Sequence, residues 1–160
     1  TSARPPCAPE VGVDLERVER DRRMNDDLLR VAGRFAGPES AWLASLPAAE
    51  MPAAFYRLWT AKEACLKCLG TGIGSDAVTL ADVACDLGPD GAIERVFCAV
   101  GQVSWRVRHL EPCPGHVAAV AMHEDDGPFD VVLRRLEPDA SERRLSGADA
   151  PPPGHAPEAP

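Results

Sequence analysis

The sequence has no apolar run approaching the roughly 18 residues that a membrane-spanning helix needs, so no such span is expected. Its first residues, Thr1 to Glu10, hold neither the apolar stretch of a signal peptide nor an initiator methionine. The start reads as that of a fragment, a processed product or the later part of a longer chain. Positive charge is scarce: 17 Lys and Arg stand against 25 Asp and Glu, a net charge of −8. Binding to nucleic acid or to an anionic membrane surface is therefore not expected as the main role. A local pocket of Lys and Arg still admits a small anionic substrate. Of the six cysteines, only Cys65 and Cys68 form a C-x-x-C pair, and no second pair is present to complete a zinc site. Without a secretion signal, the thiols read as reduced, in the core or on a helix face of a cytoplasmic protein. No internal repeat is visible.

What is present suits one globular domain with a real core: 160 residues, 45% hydrophobic and 26% charged. Residues 1–10 are Pro-rich and read as irregular, 11–136 as the domain, and 137–160, rich in Pro, Ala, Gly and charge, as a disordered tail. Val11 to Glu16 alternates apolar and acidic residues, which predicts a strand with Asp14 and Glu16 on one side. Asn25 to Phe35 reads as a helix broken at Gly37-Pro38, and Pro38 opens a second one to Leu46. The longest helix is predicted from Pro52 to Leu69, with Gly70 and Gly72 as its stop. At 100° per residue, Phe55, Leu58, Trp59, Leu66 and Leu69 gather on one arc, and Tyr56, Thr60, Glu63 and Lys67 line another. Lys62 falls inside the apolar arc, where a charge is out of place. The period then changes to two. Strands are predicted over Val83–Leu87, Arg95–Val100, Val103–His109 and His116–His123, with a last one over Phe129–Leu133. Helices precede most strands, so the predicted class is α+β, an antiparallel sheet packed against a long helix and shorter ones.

Three carboxylates carry candidate chemistry. A D-x-E pair on one strand face, Asp14 and Glu16, offers two oxygen ligands to a hard divalent cation. Glu63 adds a third if the long helix crosses that face, and Lys62 and Lys67 flank it. Such a set suits phosphoryl-group transfer, where positioning and charge neutralisation do most of the work. By spacing alone the plainer reading also stands: a solvated strand edge, a Glu63–Lys67 surface pair and a snorkelling Lys62.

At these residues the sequence resembles a known family. Gly12-Val13-Asp14-Leu15-Glu16 is similar to the G-[IV]-D-[IL]-E motif of the 4′-phosphopantetheinyl transferases. Trp59-Thr60-Ala61-Lys62-Glu63-Ala64-Cys65-Leu66-Lys67 is similar to their W-[ST]-x-K-E-[AS]-x-x-K motif, and Gly70-Thr71-Gly72-Ile73 to the turn after it. Arg34-Phe35 and Glu39 stand where the family often has R-F and an acidic residue, and Pro114 to Ala121 resembles its closing strand. The resemblance implies transfer of the phosphopantetheine arm of coenzyme A to a serine of an acyl or peptidyl carrier protein. It implies Mg²⁺ held by Asp14, Glu16 and Glu63, catalytic roles for Glu63 and Lys62, and coenzyme A phosphate contacts from Lys62 and Lys67. The D-x-E form resembles the larger, two-half branch that primes nonribosomal peptide and polyketide synthases, and only its second half is matched. The N-S-H-[ST] stretch of that branch is absent before the strand. The resemblance thus leaves two expectations: an enzyme that acts by self-association or with an absent first half, or a noncatalytic module that pairs with a separate half. An unrelated Mg²⁺-binding domain is a weaker third.

Overall fold

The computed structural model describes residues 10–19, 24–70, 77–88 and 90–134. Of the expected irregular segment 1–10 only Glu10 is among them. The expected tail 137–160 and the turn beyond Gly70 lie outside the described residues.

The chain runs β1 (Val11–Arg17), α1 (Asn25–Ala32), α2 (Gly37–Ser45), α3 (Met51–Leu69), β2 (Val83–Leu87), β3 (Ile93–Cys98), β4 (Val103–Leu110) and β5 (His116–His123), followed by a short 3-10 turn, Glu124–Asp126. The five strands form one sheet in the order β1-β5-β4-β3-β2. Every neighbouring pair is antiparallel. The α+β class with an antiparallel sheet against a long helix is the architecture found.

One face of the sheet carries the helices. Trp105 and Val107 of β4 and Ala119 and Ala121 of β5 point inward and are buried with Phe35, Leu43, Phe55, Leu58 and Leu66. The helix α3 packs chiefly on β1 and β5. Small residues make that approach close: Ala61 and Ala64 on the helix meet Ala119 and Ala121 on the sheet, and all four are fully buried. Burial of this apolar surface is the main stabilising term, at about 25 cal/mol per Å². Gly12 completes the fit. A Cβ there would overlap the Ala64 carbonyl oxygen and lie 2.7 Å from the Cys68 nitrogen.

In β1 the usual rule is inverted. Gly12 and Asp14 face α3 and are buried, while Val11, Val13 and Leu15 are 50%, 51% and 55% exposed on the outer face. β1 is an edge strand, so this apolar stripe borders a backbone edge with no further strand beyond it among the described residues.

Several predicted boundaries shift for local reasons. α1 stops at Ala32 because the Gly33, Arg34 and Phe35 amides turn back to Leu29, Val31 and Ala32 carbonyls, which drives Phe35 into the core. β3 begins two residues early and ends at Cys98, leaving a loop in which Gly101 and Gln102 both take positive φ, 79° and 52°. The predicted strand at Phe129–Leu133 does not form. Phe129 lies 6.0 Å from the guanidinium of Arg108, whose neighbours Trp105 and Val107 face the core, so the segment crosses the outer face instead of joining an edge. Val132 and Leu133 are 74% and 56% exposed.

Candidate active site between β1 and α3

The D-x-E pair faces the helix. Gly12 lets the strand approach, and the two-residue period then puts Asp14 and Glu16 on the α3 side. On α3, Tyr56, Trp59, Glu63 and Lys67 recur at steps of three and four, so they face β1 together. Gly70, at φ 75°, caps the helix just beyond Lys67.

Lys67 joins the two elements. Its Nζ donates to Asp14 Oδ1 at 2.6 Å and to the Val13 carbonyl at 3.2 Å. Asp14 is nearly buried, and its second oxygen, Oδ2, is buried with no hydrogen-bond partner. An unpaired buried carboxylate oxygen costs free energy and is open to a donor or a cation. The hydrogen bond to Asp14 holds the Lys67 ammonium above its ordinary pKa, so it stays charged. Glu16 accepts from the Trp59 indole N–H at 3.2 Å. The Glu63 carboxyl is raised above its ordinary value, first by burial and then by the negative charges of Asp14 and Glu16, while Lys67 opposes the rise. The three carboxylates therefore share one electrostatic environment. Tyr56 is raised as well, by burial and then by Glu16 and Glu19.

Hard oxygen donors and an orphaned Asp14 oxygen suit a hard divalent cation in chemical type. Among the described residues no group of three His, Cys, Asp or Glu is placed to hold a metal ion.

Lys62 is not among these residues. Its side chain is wholly buried on another face of α3, with its Nζ 2.7 Å from Glu39 Oε2 and bonded to the carbonyls of Leu80, at 3.0 Å, and Val83. The ring of Phe35 lies 5.1 Å from it. Glu39, 1% exposed, also accepts from the amides of Ala36 at 3.0 Å and Cys85 at 2.6 Å. This placement sets Lys62, expected as a catalytic and phosphate-binding residue, apart from the three carboxylates. A carboxylate, two carbonyls and an aromatic face account for the buried charge without a phosphate. Sequence reasoning left Glu39 as a loose match and Trp59 as core. The out-of-place Lys62 was the signal for Glu39, since a buried ammonium requires an acidic partner.

Cys65, Cys68, Cys85, Cys98 and Cys113 are free thiols, and burial pushes Cys65 and Cys85 well up from the reactive range. A cavity of about 310 Å³ beside Arg57, His109 and Val117 touches none of the three carboxylates. The site is defined by converging charge, not by that cavity.

The model of the 4′-phosphopantetheinyl transferase superfamily matches residues 10–121, which take in β1 through most of β5 and both halves of this site. The chain belongs to that superfamily. Among its relatives is a holo-[acyl-carrier-protein] synthase of Gluconobacter oxydans, 31% identical over 123 residues that cover 74% of this chain and 75% of that one. Another is the 4′-phosphopantetheinyl transferase HetI of Nostoc, 34% identical over 114 residues, 71% of this chain but 43% of HetI. In fold, the chain is similar to the crystal structure of a Bacillus anthracis holo-(acyl-carrier-protein) synthase in complex with CoA (3′,5′-ADP). The TM-score is 0.52, with 19% identity, covering 71% of this chain and 94% of that one. No helix among the described residues is long and apolar enough to cross a membrane.

Proposed function

We propose that this protein transfers 4′-phosphopantetheine from coenzyme A to a serine of an acyl or peptidyl carrier protein in the cytoplasm, with Mg²⁺ as the working ion. The observation that carries the reading is the meeting of Asp14 and Glu16 on β1 with Glu63 and Lys67 on α3, around an Asp14 oxygen that has no protein partner. The family match over residues 10–121 takes in all four residues, and relatives of this chain carry the names holo-[acyl-carrier-protein] synthase and 4′-phosphopantetheinyl transferase.

Asp14, Glu16 and Glu63 would hold the ion. When bound, it supplies positive charge against the pyrophosphate of coenzyme A. The Lys67 ammonium, half exposed and charged beside Asp14, would offset charge on the phosphates and on the departing adenosine 3′,5′-bisphosphate. Glu63 would take the proton as the carrier serine oxygen bonds to phosphorus and the bond to the bisphosphate breaks. Lys62 acts from behind. Its buried pair with Glu39 fixes the roll of α3 and so the direction of Glu63 and Lys67.

The exposed stripe Val11, Val13 and Leu15 supports a second element of the reading: another copy of the chain, or a first half of the kind that fills out HetI-sized relatives, covers β1 in the working enzyme. A noncatalytic module paired with such a half is the competing outcome.

Calorimetric titration with coenzyme A, with and without Mg²⁺, tests the site. Binding is expected to tighten with Mg²⁺ in the native protein and to lose that dependence in Asp14→Asn and Glu63→Gln. Equal Mg²⁺ dependence in all three would contradict the ligand assignment.

A further inference from the structure

Glu16 lies on an edge strand and is only half-buried, with three rotatable bonds between its backbone and its carboxylate. Nothing in the strand itself fixes where that carboxylate points. Among the described residues the side chain that bonds to it is Trp59, whose Nε1 stands 3.2 Å from Oε1.

The indole is itself held. Its ring stacks on Phe55 at 6.0 Å and 16°, Phe55 stacks on Phe35 at 5.6 Å and 17°, and Phe35 meets Trp59 at 6.4 Å and 32°. Phe55 and Trp59 are one helical turn apart, so α3 sets their stacking, and Phe35 enters from the turn after α1. On its other side Phe35 faces the ammonium of Lys62. The aromatic body of Trp59 is therefore anchored in the core, and its polar edge emerges at the candidate site.

We infer that Trp59 is a positioning residue of the site: its indole N–H fixes the Glu16 carboxylate as a ligand-ready group, and the Phe35–Phe55–Trp59 stack fixes the indole. An indole N–H can only donate. It therefore favours an ionised acceptor and never competes with the carboxylate for a cation. The bond uses Oε1 and leaves the other oxygen available. Holding the carboxylate in place removes rotational freedom that would otherwise be lost when an ion binds. The inference rests on the proposed role of Glu16 as a ligand. It adds that the motif tryptophan acts through Glu16 and not as packing alone.

Trp59→Phe keeps a ring in the stack and removes only the donor. Hydrogen bonds to a charged group are strong enough that its loss should raise the Mg²⁺ concentration for half-maximal carrier loading about tenfold. Excess Mg²⁺ should restore most of the rate, and the thermal transition should move little. In Glu16→Gln the same change at Trp59 should add no further Mg²⁺ requirement, since the two act as one unit. A second readout is independent of activity and of any fold change. In the native protein, the Trp59 indole N–H resonance, assigned by elimination with Trp42→Phe and Trp105→Phe, should shift on Mg²⁺ titration.

An unchanged Mg²⁺ requirement in Trp59→Phe, or full additivity with Glu16→Gln, overturns the inference while a Mg²⁺ dependence that Glu63→Gln abolishes keeps the proposed function. If backbone resonances of Asp14, Glu16 and Glu63 in the native protein do not respond to Mg²⁺, the ligand reading and this inference fall together.

Discussion

Gly12 is where one missing carbon decides the geometry of the site. A Cβ at that position would collide with the backbone of Ala64 and Cys68, which a helix cannot move cheaply. Gly12→Ala should cost about 1–3 kcal/mol or more, as overpacking does, and should push β1 away from α3 so that Asp14 leaves Lys67. Denaturant unfolding would register the loss, and Mg²⁺-dependent coenzyme A binding would register the displaced carboxylate. Lys62 obeys a different rule. Its pair with Glu39 is fully buried, so Lys62→Met should destabilise by about 3–5 kcal/mol by leaving the Glu39 charge uncompensated. Glu39→Gln in the same molecule should recover part of that loss, because the amide oxygen can still accept from Ala36 or Cys85. Additive losses in the double variant would show that the two residues are not one unit. At this scale the sequence displayed which residues were unusual but not whom they meet. Asp14, Glu63 and Lys67 were legible from a two-residue and a four-residue spacing. The partner of Lys62 was not, because Glu39 is 23 positions away and periodicity says nothing about contacts at that range.

Elements were legible where local chemistry settles them. Pro52 near the start and Gly70 after the end framed α3, and the alternation over Val83–Leu87 and His116–His123 marked β2 and β5 to the residue. Legibility failed where tertiary contacts override the pattern. Phe129–Leu133 is apolar enough for a strand, but its ring rests against Arg108 on the outer face and no ladder forms. β1 misleads in another way, since its exposed positions are the apolar ones. An element-scale consequence concerns β4. His109 Nε2 donates to the Arg57 carbonyl at 3.0 Å, tying β4 to α3. Burial, outweighing that bond, holds its imidazole below the ordinary pKa. The unfolded chain then binds more protons than the folded one just below about pH 6.5, so stability rises with pH through that window and is lost as pH falls through it. Unfolding midpoints at a series of pH values should show this slope, and His109→Gln should flatten it. A slope unchanged by the substitution would assign it to other groups.

At the scale of the whole molecule, the two edges of the sheet differ. The β1 edge carries Val11, Val13 and Leu15 in the open, beside the carboxylates of the site. Long apolar edges of this kind invite a partner. The native chain is therefore expected to self-associate as its concentration rises, and Val13→Glu, which lies on the outer face, should prevent this without unfolding the domain. Sedimentation of the two proteins over a concentration series would check it, and identical monomeric behaviour would remove the support for a covered β1. The central claim is that these residues perform phosphopantetheine transfer. Its most direct test is the intact mass of an apo carrier protein after incubation with coenzyme A, Mg²⁺ and this chain. The expected result is a carrier heavier by one phosphopantetheine group, formed faster per chain as the chain associates, and absent with chelator or with Glu63→Gln. Loading that survives both chelation and Glu63→Gln, or no loading by the native chain either at any concentration or with a HetI-type first half added, would contradict it.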